Sequence, residues 1–320
     1  MIEENIQNTR TISLEEINFG EILSILLNKK FFILALVLLS TSMSILYSFN
    51  LANIYTSSVL LAPADDNSKS SMLGQMSGLA GLAGVSLADG SGDKSTEAIE
   101  RVQTYEFFSN HFLPNILLED LMAVSHWDPN KNSVIYDEDM FKSSEKKWIR
   151  KSYIPFIQIS KTPSTQEAFN RYKNLLTIEQ NKKTSFVKIS INHESAHIAK
   201  EWTRLIVSSI NKSMRDENRD KTTKSLEFLN NQYSQTNYKE IKQSIASLQE
   251  EQMKSLMLIE ASKFYVFKVL DYPIAPEKKS SPKRSIFILF GIIAGLIIAS
   301  FISIIQFYGF NKIKIINPNP

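Results

Sequence analysis

Two stretches of the chain carry no charged side chain, Phe31 to Ala64 and Ser285 to Asn311, and they limit the fold more than any other feature of the sequence. Within the first lies a 19-residue apolar segment, Phe31–Phe49. As a helix rising ~1.5 Å per residue it reaches ~28 Å, close to the ~30 Å hydrocarbon core of a bilayer. It is preceded by five acids (Glu3, Glu4, Glu15, Glu16, Glu21) and three bases, and no small-x-small site follows it promptly. A cleaved signal peptide starts with a short basic region, so the segment reads as an uncleaved anchor. The second segment, Ser285–Phe307, is bounded by Lys283-Arg284 and by Lys312 and Lys314. These charges mark the ends of a second span. Gly291, Gly295, Ala299 and Ser303 recur four apart in it, which puts small residues on one helix face where another helix can approach closely. Neither span contains an ionisable residue, which argues against a proton relay or a charged substrate path through the membrane.

The spans partition the chain into an N-terminal segment (1–30), a first span (31–49), a large domain (50–284), a second span (285–307) and a tail (308–320). Lys29 and Lys30 abut the first span, and no base follows it on the other side before Lys69. That asymmetry predicts a cytoplasmic N-terminus, a large domain outside the cytoplasm and a cytoplasmic tail. Lys278, Lys279, Lys283 and Arg284 ahead of the second span point the other way. Long loops translocate largely regardless of charge, so the first span decides.

The balance of charge and the missing cysteines remove several function classes. A net charge of +3, from 36 Lys+Arg against 33 Asp+Glu, is too even for a nucleic-acid footprint. The absence of cysteine excludes a disulfide scaffold, Cys-ligated zinc and thiol catalysis. No Walker A sequence, Gly-x-Ser-x-Gly elbow or kinase signature occurs, and the short tail from Tyr308 to Pro320 leaves no room for a signalling module after the second span.

Glycine and proline are segregated. Six of the ten glycines fall between Gly74 and Gly92, none between Asp93 and Phe290, and no proline occurs from Ser164 to Tyr272. Tight hairpins and phosphate loops are hard to build in such a stretch, and long helices are favoured. From Glu194 to Phe264 apolar residues keep helical spacing through Trp202, Ile206, Ile210 and Met214, then Leu226, Leu229 and Tyr233, then Ile241, Ile245 and Leu248. Arg215 to Lys224 contains no apolar residue, so a helix there stands clear of a core or meets a neighbouring subunit through charge pairs. Clustered polar residues around Tyr233 to Tyr238 mark a bend or reversal. Strands are expected over Tyr55–Pro63, Ile154–Ile159, Phe186–Ile191 and Phe264–Leu270. A loop is expected over Ser68–Gly92, a helix from an N-cap at Ser95 to Leu113, a turn at Trp127–Asn130, and a helix opened by Pro163-Ser164-Thr165-Gln166-Glu167. The fold class is therefore α+β: a two-span membrane protein with a mixed α/β base domain outside the cytoplasm, one sheet built from distant segments, and a long projecting helical arm over about residues 194–264.

His193-Glu194-Ser195-Ala196-His197 matches the zinc-protease pattern H-E-x-x-H, in which two histidines one helical turn apart bind the metal and the glutamate activates water. Glu217 stands downstream as a third ligand. On an unbroken helix it would lie ~30 Å from His197, whereas a ligand must approach within ~2.2 Å of the metal. No turn signal folds it back, and His111 and His126 have no support as substitutes. Polar residues opening a helix are the plainer reading; a zinc metalloprotease stays as a remote alternative.

The layout resembles the Wzz-type chain-length determinants, the polysaccharide co-polymerases of bacterial lipopolysaccharide O-antigen synthesis. The resemblance runs from Leu14 to about Phe310. It is carried by LEEINFGEILSILLNKKFFI, the strand YTSSVLLAP, the loop SGLAGLAGVSL, the helix around TYEFFSNHFLP, and most specifically by DYPIAPEKKSSPKR ahead of a glycine-containing span. It implies that Asp271, Pro273, Pro276, Pro282, Lys283 and Arg284 form the family's proline-rich juxtamembrane segment, and that Gly291 and Gly295 are its second-span small residues. Family members place proline directly after the aspartate; here Tyr272 intervenes, which leaves the end of the local strand in doubt. The resemblance further implies a regulator that is not an enzyme and needs no cofactor. Such a protein has both termini in the cytoplasm and forms a homo-oligomer. It sets the modal length of the polymer that a Wzy-type polymerase makes from undecaprenyl-linked repeat units. Contacts along the arm and packing through Gly291 and Gly295 are expected to set the oligomer. An inner-membrane partner in capsule or exopolysaccharide export shares the topology and remains an alternative, as does a two-span channel.

Overall fold

The structure, a computed structural model, describes residues 26–64, 94–150 and 160–316, with side chains described as far as residue 306. The loop expected over Ser68–Gly92 and the strand expected over Ile154–Ile159 lie outside the described residues. The chain divides into two compact units, Ala52–Ser281, and Met1–Leu51 with Pro282–Pro320.

The second of these units consists, among the described residues, of two helices, α1 (Lys30–Asn50) and α8 (Arg284–Ile316). Each contains a window apolar and long enough to cross a membrane, with mean hydropathy 2.0 in α1 and 2.8 over Arg284–Gln306 in α8. Their apolar side chains are largely exposed outward: Leu39, Met43, Phe290 and Phe301 are all about two-thirds exposed or more. In water such a surface would be costly, whereas lipid solvates it.

The larger unit is built on a four-stranded antiparallel sheet in the order β6-β7-β1-β8, from β1 (Tyr55–Pro63), β6 (Leu176–Gln180), β7 (Val187–His193) and β8 (Phe267–Asp271). β1 occupies the interior, paired from Tyr55↔His193 to Leu61↔Val187 on one side and with β8 on the other. The strand expected from the run closing at Pro63 forms, and its burial alternates: Tyr55, Ser57, Val59 and Leu61 turn inward, and the residues between them are less buried. The expected strands over Phe186–Ile191 and Phe264–Leu270 form as β7 and β8 with shifted ends. β6 carried no clear sequence signal.

Helix α6 (Ala196–Gln235) covers the inward face. Trp202, Ile206, Ile210 and Met214 repeat every four residues, form one stripe and are buried. They pack with Phe108, Phe112 and Tyr172 in an aromatic core. Ring centroids are 5.5 Å apart for Phe112 and Trp202, 4.7 Å for Phe112 and Tyr172, and 5.1 Å for Phe108 and Tyr172. Burying each such side chain stabilises the fold by about 1.5–3 kcal/mol. The Tyr172 hydroxyl donates to the Val102 carbonyl at 2.9 Å, so its polar end is not orphaned. Tyr172 belongs to α5 (Thr165–Leu175), opened by a capping box in which Ser164 and Glu167 satisfy each other's backbone amides.

Beyond Met214, Thr222 is the one buried residue that α6 adds, so its last third has left the core. Helix α6 ends at Gln235 and α7 (Lys239–Ala261) runs back against it. The apolar pattern from Glu194 to Phe264 is thus a hairpin of two helices. Its longer limb measures ~60 Å, and no single ~106 Å rod forms. The reversal uses Thr236–Tyr238 without glycine or proline.

The helix expected from Ser95 to Leu113 is broken. α2 (Lys94–Val102) already includes Ser95 in its first turn, where the side chain is buried, so Ser95 is not the N-cap. Thr104 caps a new start, α3 (Tyr105–Phe107), accepting from the Phe107 amide. A π-helical turn (Phe108–Phe112) and a 3-10 turn (Leu113–Asn115) follow, and Pro114 stands in the latter. α4 (Leu118–Met122) leads to a hairpin of β2 (Val124–Asp128) and β3 (Ser133–Tyr136). Its tip is the expected turn, displaced to begin at Pro129. The short pair β4 (Phe141–Lys142) and β5 (Lys147–Trp148) completes the unit.

Candidate functional site

The small residues of the second span lie against the first span of the same chain. A Cβ built on Gly291 would stand 2.9 Å from Ser44 Cβ and 3.0 Å from Thr41 Cα, and one on Gly295 would stand 2.9 Å from Val37 Cα. Glycine is therefore what allows the two backbones to meet. Ala299 and Ser303 continue the stripe and are fully buried. Two hydroxyls bridge the seam: Ser40 donates to the Gly291 carbonyl at 3.0 Å and Ser44 to the Phe287 carbonyl at 2.6 Å. Sequence reading missed these donors, although Ser40, Ser44 and Ser48 recur four apart and mirror the spacing of the glycine stripe. Lys29 donates to the Gln306 side chain at 2.8 Å, and the Arg284 guanidinium lies 4.3 Å from the Phe49 ring centroid. The expectation that Gly291 and Gly295 pack between subunits is corrected here: that face is already filled by Val37, Ser40, Thr41 and Ser44 of the same chain.

The proline segment holds to β1 without a regular ladder. After Asp271 the chain leaves β8, and Ser57 Oγ donates to the Ile274 carbonyl at 2.8 Å. The Thr56 amide donates to Ser280 Oγ at 3.0 Å, the Ile54 amide to the Ser281 carbonyl at 2.9 Å, and Lys279 Nζ to Asn53 Oδ1 at 2.8 Å. Proline has no N–H to give a ladder, so side chains and carbonyls replace it. Pro273 and Pro282 are buried, Pro276 is half-buried and Lys283 is exposed. Tyr272, the residue that departs from the family pattern, lies just past the end of β8 and is 63% exposed.

His193 and Glu194 sit at a structural junction. His193 ends β7, and α6 starts at Ala196 with Ser195 as its N-cap. The Ser195 amide donates to His193 Nδ1 at 2.9 Å, so the ring proton is on Nε2, which donates to the Asp120 carbonyl at 2.9 Å. Both ring nitrogens are thereby used. Burial pushes the His193 pKa down, against the upward pull of Glu194. Glu194 pairs with Arg171 at 2.8 Å. Asp120 accepts from the Tyr136 hydroxyl at 2.6 Å; burial raises its carboxyl above the ordinary range, partly countered by that bond. Glu217 lies five helical turns away along α6 and pairs with Arg101, which holds its carboxyl below the usual value. The zinc pattern is thus split between a strand end and a helix. Among the described residues no three His, Asp or Glu converge where a metal could be held.

The charged run Arg215–Lys224 meets its own chain. Arg215 donates to the carbonyls of Ser262 at 2.6 Å and Lys263 at 3.0 Å, and Arg219 approaches Glu260 at 4.0 Å. Together with the Arg101–Glu217 pair, these contacts fasten α6 to α2 and to the end of α7. Arg215, Glu217 and Arg219 of this run are thus paired within the chain. Asn211, in the preceding turn, was not foreseen: its Oδ1 accepts from the amides of Val266 and Phe267 at 2.9 and 3.0 Å, and its amide donates to the Phe267 carbonyl at 3.3 Å. It substitutes for a neighbouring strand at the start of edge strand β8. Beside it a groove of about 520 Å³ runs between α6, Val269, Tyr272 and Pro273.

Residues 15–105 match the family model described as Wzz, chain length determinant protein. Among solved structures, a full-length bacterial polysaccharide co-polymerase aligns with 94% of this chain and 100% of its own, at 14% identity and a TM-score of 0.40. A fragment of WzzB, a polysaccharide co-polymerase from Salmonella Typhimurium, aligns with 72% of this chain and 100% of its own, at 16% identity and a TM-score of 0.27. No curated protein matches the chain.

Proposed function

We propose that this chain, a Wzz-type protein by its match over residues 15–105, sets the modal length of lipopolysaccharide O-antigen by acting on a Wzy-type polymerase that extends undecaprenyl-linked polysaccharide. The family match carries this reading, and the arrangement of one folded unit between two apolar helices supports it. Both termini lie in the cytoplasm, and residues 50–284 form a periplasmic base and arm. The protein works without catalysis and without a cofactor, as a homo-oligomeric scaffold. Along the helical hairpin Phe228 is 61% exposed, Tyr238 71% and Met257 63%, an apolar surface that neighbouring copies would cover. The seam at Gly291, Gly295, Ala299 and Ser303 holds the two spans of each copy together. The proline segment from Asp271 through Pro273, Pro276 and Pro282 to Lys283-Arg284 links base to span.

Deleting the gene and separating lipopolysaccharide on gels tests the function. The modal cluster of bands should be lost, and an unchanged distribution refutes the reading. Loss of surface capsule with an intact ladder would assign the protein to capsule or exopolysaccharide export. The topology is tested by a cysteine at Ser144, which an impermeant reagent should label once the outer membrane is permeabilised; protection there would place the large unit in the cytoplasm.

A further inference from the structure

Leu270, Tyr272 and Ile274 recur at period two where β8 gives way to the proline segment. They are 43%, 63% and 72% exposed, so apolar exposure rises toward the second span. Extended chain sends alternate side chains to opposite faces. Pro273, between the two most exposed residues, is buried, and Ser57 fixes the following carbonyl at 2.8 Å. Tyr272 and Ile274 are thus held outward by a chain anchored on its other face.

The surrounding chemistry selects the occupant. From Tyr272 to Arg284 there are four bases, Lys278, Lys279, Lys283 and Arg284, against one acid, Glu277. The apolar span begins directly after them. An aromatic and an aliphatic side chain followed by a basic cluster beside a membrane span match the layers of a bilayer interface. Tyrosine sits at headgroup depth, aliphatic carbon reaches below it, and lysine and arginine meet lipid phosphates. An acidic protein partner would satisfy the bases but not the exposed Ile274.

We propose that Tyr272 and Ile274 form an interfacial anchor that rests in the headgroup layer of an anionic lipid bilayer, with the exposed Lys278 and Lys283 on its phosphates. This rests on the reading that α1 and α8 cross the bilayer, and does not depend on which polymer is regulated.

The test uses the full chain, which has no cysteine of its own. Single cysteines replace Ile274, Leu296 in the span, or Ser144 in the base. Each is labelled with an environment-sensitive fluorophore and reconstituted into liposomes of phosphatidylethanolamine and phosphatidylglycerol that contain a nitroxide-bearing lipid. The label at 274 should lose most of its emission to a headgroup-level quencher, and the label at 144 should not. Replacing phosphatidylglycerol by phosphatidylcholine should weaken quenching at 274. Quenching at 296 by a nitroxide placed deep on the acyl chain, without quenching at 274 by the headgroup nitroxide, overturns the anchor alone, while quenching at neither site by its own quencher removes the membrane reading with it. Emission at 274 that shifts to the blue without lipid quenching, and grows with protein density, overturns the anchor in favour of a second copy. Adding Tyr272→Asp to the 274-labelled chain should abolish the quenching, with unchanged circular dichroism showing that the base still folds.

Discussion

Replacing Gly295 by leucine should separate the two spans. A Cβ at this position would lie 2.9 Å from Val37 Cα, which is backbone, and 3.1 Å from Ser40 Cβ. Carbon atoms rest at about 3.5–4.0 Å, so even the first added atom requires the helices to part by roughly 0.6–1 Å, and the remaining leucine atoms require more. The bond from Ser40 to the Gly291 carbonyl, at 3.0 Å, lies one turn away and would be stretched beyond hydrogen-bonding range. An interhelical bond of this kind averages about 0.6 kcal/mol and reaches about 1.7. Losing it, weakening its Ser44 counterpart and losing the packing along the seam together cost about 2–3 kcal/mol. The assay uses cysteines at Tyr47 and Phe287, whose rings are 6.3 Å apart, and a short thiol cross-linker in native membranes. Gly295→Leu should slow cross-linking strongly, Gly295→Ala less so. Unchanged cross-linking in Gly295→Leu would refute the close seam.

The base offers further tests. Trp202→Ala removes an indole 5.5 Å from the Phe112 ring and should cost about 3–5 kcal/mol, read as a lowered melting temperature of the detergent-solubilised chain. His193 is held neutral by burial, so its folded-state pKa lies below the ordinary 6.5. The stability it contributes is present above pH 6.5 and is lost as pH falls below that value. Melting temperature should drop between about pH 7 and 5.5, and His193→Gln should flatten that slope. Asp120, raised by burial, acts in the opposite sense. Asn211→Ala leaves the Val266 and Phe267 amides without their acceptor, at a cost of about 1–3 kcal/mol, which should appear as faster hydrogen exchange at those two residues while the β1–β7 ladder stays protected.

How far the sequence could be read depended on how local each determinant was. Strand β1 and the start of α5 were legible because a short run closing at a proline and a Ser-x-x-Glu box are complete within a few residues. The hairpin of α6 and α7 was legible as a helical stretch, with its reversal marked only by polar clustering, since neither glycine nor proline breaks it. The partners of the charged run were hidden, because Arg101, Ser262 and Lys263 reach Glu217 and Arg215 only through folding. The glycine stripe announced a close contact, and the serine stripe that answers it lies at the opposite end of the chain, where its own four-residue spacing does not say which helix it meets.

By itself the sequence determined the partition: two apolar segments and a glycine- and proline-free helical region between them. These follow from hydropathy, backbone entropy and residue spacing, which act along the chain. The tertiary structure decided which surface each residue meets. Gly291 and Gly295 face the first span of their own chain, His193 spends both ring nitrogens on a strand-to-helix junction, and Asn211 closes one end of an edge strand. Each of these is a contact between residues distant in sequence, fixed by steric fit and by the need of buried polar groups for partners, and no local pattern encodes which partner arrives.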